Sequence, residues 1–337
     1  MPDVDVSRSV FSTVNVGRRL RRTTRRSTVR ALELYAQGVG WRGALTHPEV
    51  RAMRAMLDWQ MTRPALAADP ATQVESVKFR RNDGQVRGEW VERPGIKTRE
   101  DAVLLYVHGG AFVAGSTRSH RGLVSELSLR TRRSVFSVDY RLAPEYRFPT
   151  AADDVLRAYS WLLATGVSPD RIVVAGDSAG GHLALGLSPR AIRAGLPTPA
   201  GIVAFSPLVD PSMTLSAARE RDQGGDGLLA GADAGRAAIR QYHPGIPADH
   251  PELLLTRDDL TGMPPVLIQA SASEILAADA EHYTHELRAA GGDAQLRLWP
   301  RKFHVFQVAH RISRSASEAL DDVAHFVDQV AGAVTVH

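Results

Sequence analysis

Apolar positions along this chain follow two patterns that take turns. Short apolar runs occur at 102–107 (AVLLYV), 134–139 (SVFSVD), 171–175 (RIVVA), 201–205 (GIVAF), 265–270 (PVLIQA) and 294–299 (AQLRLW), and most have the length and β-branched content of a strand buried on both faces. Between them, over roughly 118–131, 151–164, 179–193, 277–290 and 306–331, apolar residues recur at helical spacing, the pattern of a helix that packs one face on a sheet. Strand and helix in alternation predict a mostly parallel sheet covered on both sides, a single α/β domain. Ahead of it, 48–57 with Met53, Met56, Trp59 and Met61 is spaced as a helix. The runs 74–79 and 86–91, separated by Asn82-Asp83-Gly84, predict a hairpin. Pro189 falls inside the helix that starts near 179, so a kink or an early end is expected there. The stretch 211–250 breaks the rhythm with Asp222-Gln223-Gly224-Gly225-Asp226-Gly227, and an inserted segment of this kind commonly serves as a lid. No internal repeat is present.

Composition narrows the chemistry. The 337 residues are 44% hydrophobic, enough for a sizeable core, and neither disorder, a collagen-like period nor a coiled coil fits. No apolar run reaches the roughly 18 residues of a membrane span. The chain has 0 Cys, so disulfides, thiol nucleophiles, Cys-bound zinc and iron–sulfur clusters are excluded, and any nucleophile is oxygen or nitrogen. The net charge of +4 is unevenly placed, because residues 1–30 hold eight Arg against Asp3 and Asp5. That arm can make a weak electrostatic contact with an anionic membrane surface, although a solvated basic helix explains it as simply and no nucleic acid is expected. Arg18-Arg19 begins like a twin-arginine signal, but no apolar stretch follows, so export by that route is not expected and a cytoplasmic location is.

Gly176-Asp177-Ser178-Ala179-Gly180 directly follows the strand RIVVA and directly precedes a helix. That is the strand–turn–helix setting of a nucleophile elbow, in which flanking residues without side chains let the backbone turn sharply and push the hydroxyl out. Taken alone, the same five residues also describe a serine in an ordinary glycine turn. His108-Gly109-Gly110-Ala111-Phe112, at the end of AVLLYV, supplies the missing context. Its bare N–H groups at Gly109 and Gly110, with that of Ala179 at the helix start, form a candidate oxyanion hole. A serine needs a base, and His304 stands in a loop between the last predicted strand and the last helix. The base needs a carboxylate, for which the loop after PVLIQA offers Glu274 and, five residues on, Asp279. Glu274 is favoured, since Asp279 falls inside the next helix. The pair His282 and His285 lacks the spacing and third ligand of a zinc site, and no metal is expected.

With these motifs in place, the sequence closely resembles the hormone-sensitive-lipase family of α/β-hydrolases, the bacterial family IV esterases. The resemblance runs from about residue 74 onward and is carried by HGGAF at 108–112, DYRLAPE at 139–145, GDSAGG at 176–181 and WPRKFHVFQ at 299–307. It implies an α/β-hydrolase fold with an eight-stranded sheet and a helical cap, and no cofactor. The cap would comprise residues 1–70, arm included, and the insertion 211–250, leaving 71–210 and 251–337 as the catalytic domain. By position the family's nucleophile, acid and base fall on Ser178, Glu274 and His304. Ala111 replaces the family's third glycine, and Arg301 stands where a glycine commonly precedes the histidine. The implied activity is hydrolysis of short- to medium-chain carboxylic esters through an acyl-enzyme, with Phe112, Leu208, Ile275 and Phe306 as pocket candidates. The family also implies a homodimer through the last strand. An amidase, deacetylase or acyltransferase would carry the same triad, and a non-catalytic binding protein on this fold would lack one of its members, whereas all three are here.

Overall fold

Hydrogen bonding joins the strands β1 (Gln73–Arg81), β2 (Gly84–Glu92), β3 (Val103–Val107), β4 (Ser134–Val138), β5 (Ile172–Asp177), β6 (Gly201–Phe205), β7 (Val266–Ser271) and β8 (Ala294–Trp299) into one sheet. The computed structural model describes residues 47–81, 84–224, 231–255 and 260–334. The arginine-rich arm, the hairpin residues Asn82 and Asp83, and Gly225 to Gly227 of the insertion lie outside the described residues. Strand order is β1-β2-β4-β3-β5-β6-β7-β8. The pairs β1–β2 and β2–β4 are antiparallel and every later pairing is parallel.

Strands β3 to β7 are buried along their whole length, which is why they read as continuous apolar runs. Their side chains still divide by the two-residue period. Val103, Leu105, Val107 and Val174 face one apolar cluster, completed by α3 (Thr150–Ala164), α4 (Ala179–Arg193) and α7 (Ala277–Ala289). Leu104, Tyr106, Val173 and Phe205 face the other, completed by α2 (Thr117–Thr131) and α8 (Arg314–Ala331). The helix α1 (His47–Met61) packs against the domain, and the stretch after residue 211 folds into α5 (Thr214–Gln223) and α6 (Ala232–Tyr242). No helix among the described residues is long and apolar enough to cross a membrane.

Two expectations are corrected. The helical pattern at 306–331 is two elements, a 3-10 turn Phe306–Ala309 and then α8, because the Ser313 hydroxyl accepts the Ala316 N–H and restarts the helix. Of the kink or early end expected at Pro189, the early end is absent, since α4 runs on to Arg193 with Ser188, Pro189 and Ala191 all buried. Packing on both sides of the proline outweighs the one hydrogen bond it removes.

Candidate active site

Ser178 occupies the turn between β5 and α4 with φ 54° and ψ −118°, a conformation that costs on the order of 1–3 kcal/mol and persists only where the surroundings impose it. They do so here through close approach. A Cβ on Gly176 would strike the carbonyl oxygen of Gly180, and one on Gly180 would strike the backbone carbonyls of Val107 and His108. The Ser178 N–H donates to Phe205 O at 2.8 Å, and its own carbonyl accepts from Leu208 N at 3.1 Å. The nucleophile candidate is thus tied to the end of β6 on both sides of its backbone.

Glu274 lies in the turn after β7 with 0% of its surface exposed. Its Oε2 is 2.7 Å from His304 Nδ1. Its Oε1 accepts from Ser206 Oγ and from the Ser271 N–H, each at 2.7 Å. With Oε1 occupied by two donors, Oε2 faces the imidazole, so the proton resides on Nδ1 and Nε2 is left as the ring's acceptor. Asp279, the other candidate acid, is buried at the start of α7. It accepts from the N–H groups of Val209 and Asp210 at 2.7 and 2.8 Å and from Ser216 Oγ at 3.1 Å. Burial raises its carboxyl to about 7 despite the two N–H groups. Asp279 therefore fastens the loop after β6, and His304 meets Glu274.

One assignment changes at the oxyanion loop. The Gly109 N–H donates to Asp177 Oδ1 at 2.9 Å, so it is already engaged and does not point at a substrate. A Cβ at Gly109 would collide with the Asp177 carboxylate, which is why this glycine is needed although its N–H is not free. Among the described residues the N–H groups of Gly110, Ala111 and Ala179 have no protein acceptor, so the donor pair in this loop shifts one residue along. Ala111 and Phe112 hold φ of 53° and 64°, and the Phe112 carbonyl accepts from Ala143 N at 2.9 Å.

Sequence reasoning missed what supports this loop. Asp177 also accepts from Tyr106 OH at 2.6 Å and faces His120 Nε2 at 3.3 Å. Burial alone would raise the Asp177 carboxyl, but the His120 charge and the hydrogen bonds from His120 and Tyr106 hold it below its ordinary value. For His120, burial works against the charged form and Asp177 more than offsets it, so the imidazole is raised. His108 is the opposite case, lowered to about 4 by burial first and by His120 second. Its Nδ1 donates to Gly109 O at 2.8 Å and its ring stacks on Tyr140 at 4.2 Å. Asp177 was visible inside GDSAG as a residue, while nothing in the sequence marks His120 as its partner.

The pocket candidates separate. Phe112 stacks on Tyr242 of α6 at 4.2 Å and meets His182 edge-on at 5.6 Å. Leu208 and Ile275 belong to the same apolar cluster as Phe112. Phe306 does not, since it packs with Ala316 and Ala319 of α8 in a cluster of its own. It is withdrawn as a pocket residue, because the 3-10 turn aims its ring at α8. Among the described residues no group of three or more His, Asp or Glu could hold a metal ion.

The fold and the site together define a hydrolase class, and the comparisons agree. Residues 104–308 match a family described as having the alpha/beta hydrolase fold. An esterase of Acinetobacter venetianus is 34% identical over 280 residues, covering 82% of this chain and 88% of that protein. An acetyl-hydrolase of Streptomyces hygroscopicus is 37% identical over 255 residues, covering 74% of this chain and 82% of its own. The crystal structure of an esterase from the bacterial hormone-sensitive lipase family superposes with a TM-score of 0.80 at 30% identity, covering 90% of this chain and 98% of that one. This chain belongs to the hormone-sensitive-lipase family of α/β hydrolases.

Proposed function

We propose that this chain is a serine carboxylesterase that cleaves short- to medium-chain carboxylic esters in two steps. The 2.7 Å contact between Glu274 Oε2 and His304 Nδ1, on loops that leave the same end of the parallel strands as the Ser178 elbow, carries the reading. His304 Nε2 accepts the Ser178 proton as the hydroxyl attacks the ester carbonyl, then returns it to the departing alcohol. Glu274 stabilises the imidazolium between those events. The N–H groups of Gly110, Ala111 and Ala179 receive the negative charge of the tetrahedral intermediate, each supplying about 10²- to 10³-fold in rate. Water repeats the cycle on the acyl-enzyme and releases the acid.

The acetyl-hydrolase relative supports a small acyl group. In this reading α5 and α6 form a lid, and β8, at the open edge of the sheet, is the face for a homodimer. A cytoplasmic location completes it. The test is hydrolysis of p-nitrophenyl esters from acetate to palmitate by the natural protein, Ser178→Ala and Glu274→Ala. The expected result is a short-chain optimum, a fall in kcat of about 10⁵- to 10⁶-fold in the serine variant and of about 10³- to 10⁴-fold in the glutamate variant. Equal rates in the natural protein and Ser178→Ala would remove the serine mechanism.

A further inference from the structure

We infer that Ser206 is a positioning residue for this reaction, acting through Glu274 and the backbone beside His304; the inference rests on the triad proposed above. Ser206 directly follows β6 and is 0% exposed. Its Oγ lies 2.7 Å from Glu274 Oε1 and accepts the Val305 N–H at 3.2 Å. A hydroxyl has one proton to give. Val305 offers a donor and the carboxylate offers only lone pairs, so that proton is directed to Glu274 and an Oγ lone pair to Val305. One small side chain thereby fixes the acid and the residue next to the base relative to each other.

The backbone extends the connection to the nucleophile. The Ser206 N–H donates to Gln269 O at 2.7 Å, and the preceding carbonyl, of Phe205, accepts the Ser178 N–H at 2.8 Å. All three catalytic loops therefore converge on Phe205 and Ser206. Ser206 and Val305 also hold left-handed backbone, with φ of 46° and 53°. For a β-branched residue such as Val305 that is a genuine outlier, so this conformation needs an external constraint. The Oγ···N–H bond supplies one at the residue that follows His304. Without the hydroxyl, Glu274 Oε1 keeps only the Ser271 N–H, and both the carboxylate and the loop bearing the imidazole gain freedom.

The experiment measures kcat and KM for p-nitrophenyl acetate in Ser206→Ala and Ser206→Gly, each made in the natural protein and in Glu274→Ala. Glycine adopts φ 46° without steric cost, so the second variant removes the hydroxyl while relieving the backbone, and it serves where the alanine variant folds poorly. The expected result is a fall in kcat of about 10- to 100-fold, the factor that one hydrogen bond to a charged group supplies, with KM within about twofold. In the Glu274→Ala background the same substitutions cost a clearly smaller factor, since the carboxylate is already gone and only the Val305 N–H bond is left to lose. A kcat within twofold of the natural value, a loss carried by KM, or an equal factor lost in both backgrounds would overturn the proposal. Full activity in Ser178→Ala would instead overturn the triad itself, so the two failures are distinguishable.

Discussion

Of the eight non-glycine residues at positive φ among the described residues, Arg132 and Met213 cap helices, while Ala111, Phe112, Ser178, Ser206, Arg301 and Val305 lie on loops that form the site. Left-handed backbone costs roughly 1–2 kcal/mol for such a residue, so strain is concentrated where the geometry must be held. Arg301, with φ 54°, is the member with the least to do. Its side chain is exposed and its N–H donates to Ser273 Oγ at 3.1 Å, a bond that any residue retains. Arg301→Gly is expected to raise the unfolding free energy by about 0.5–1 kcal/mol, the left-handed cost less the entropy of a glycine. The measurement is a urea midpoint that rises at unchanged slope while kcat stays the same. Legibility at this scale followed chain order. Ser178, Glu274 and His304 stand out because a nucleophile elbow and two loops after late strands are local features. The Gly109 bond to Asp177 spans 68 residues and the Ser206 bond to Val305 spans 99, so no local pattern could announce either.

Helix α1 enters the site through one side chain. Arg54 Nε donates to Val113 O and Nη2 to Ala143 O, both at 2.7 Å, while the same guanidinium pairs with Glu145. The ion pair is partly exposed and contributes little. The two carbonyls matter more, since they belong to the loops that the Ala143–Phe112 backbone bond already joins beside Ala111. Arg54→Ala is expected to lower stability by about 1–2 kcal/mol and to reduce kcat more than it raises KM. Arg54→Lys is expected to restore little of either, because an ammonium lacks the planar fork that reaches both carbonyls at once. Urea unfolding and steady-state kinetics on the two variants decide the matter. At the scale of elements, the buried parallel strands were legible because each is apolar on both faces. The division of 306–331 was not, since apolar spacing continues across Ser313 and only the cap shows where the helix restarts.

Protons bound by the whole molecule set its stability against pH. Burial lowers His108 and His182 from 6.5 to about 4 each, and His310 is lowered as well. In the unfolded chain these imidazoles take up protons below 6.5 that the folded protein refuses, so stability is lost as pH falls through that window. Asp279, raised to about 7, acts in the other direction, because the folded protein binds a proton there that the unfolded chain releases above about 4. His108 and His182 against Asp279 leave a net of one proton, and His310, lowered in the same direction, adds to it. Stability is expected to fall by at least about 1.4 kcal/mol per pH unit below 6.5, and Asp279→Asn to steepen the fall by about as much again. Above 6.5 the contribution of His120, raised by Asp177, is lost as pH rises through its folded value, so stability declines on the alkaline side as well. Urea midpoints from pH 4.5 to 8.5 measure the curve, and a flat profile would contradict it. The sheet order has a further consequence in time. Ser178 rides on a central strand, whereas the proposed acid and base follow β7 and β8, which are later in the chain and outermost on their side. On the ribosome, where a chain grows from its N-terminus, the serine emerges as an ordinary alcohol and stays one until those two strands dock. Reactivity arrives with the completion of the sheet, and a half-made molecule cannot attack its surroundings.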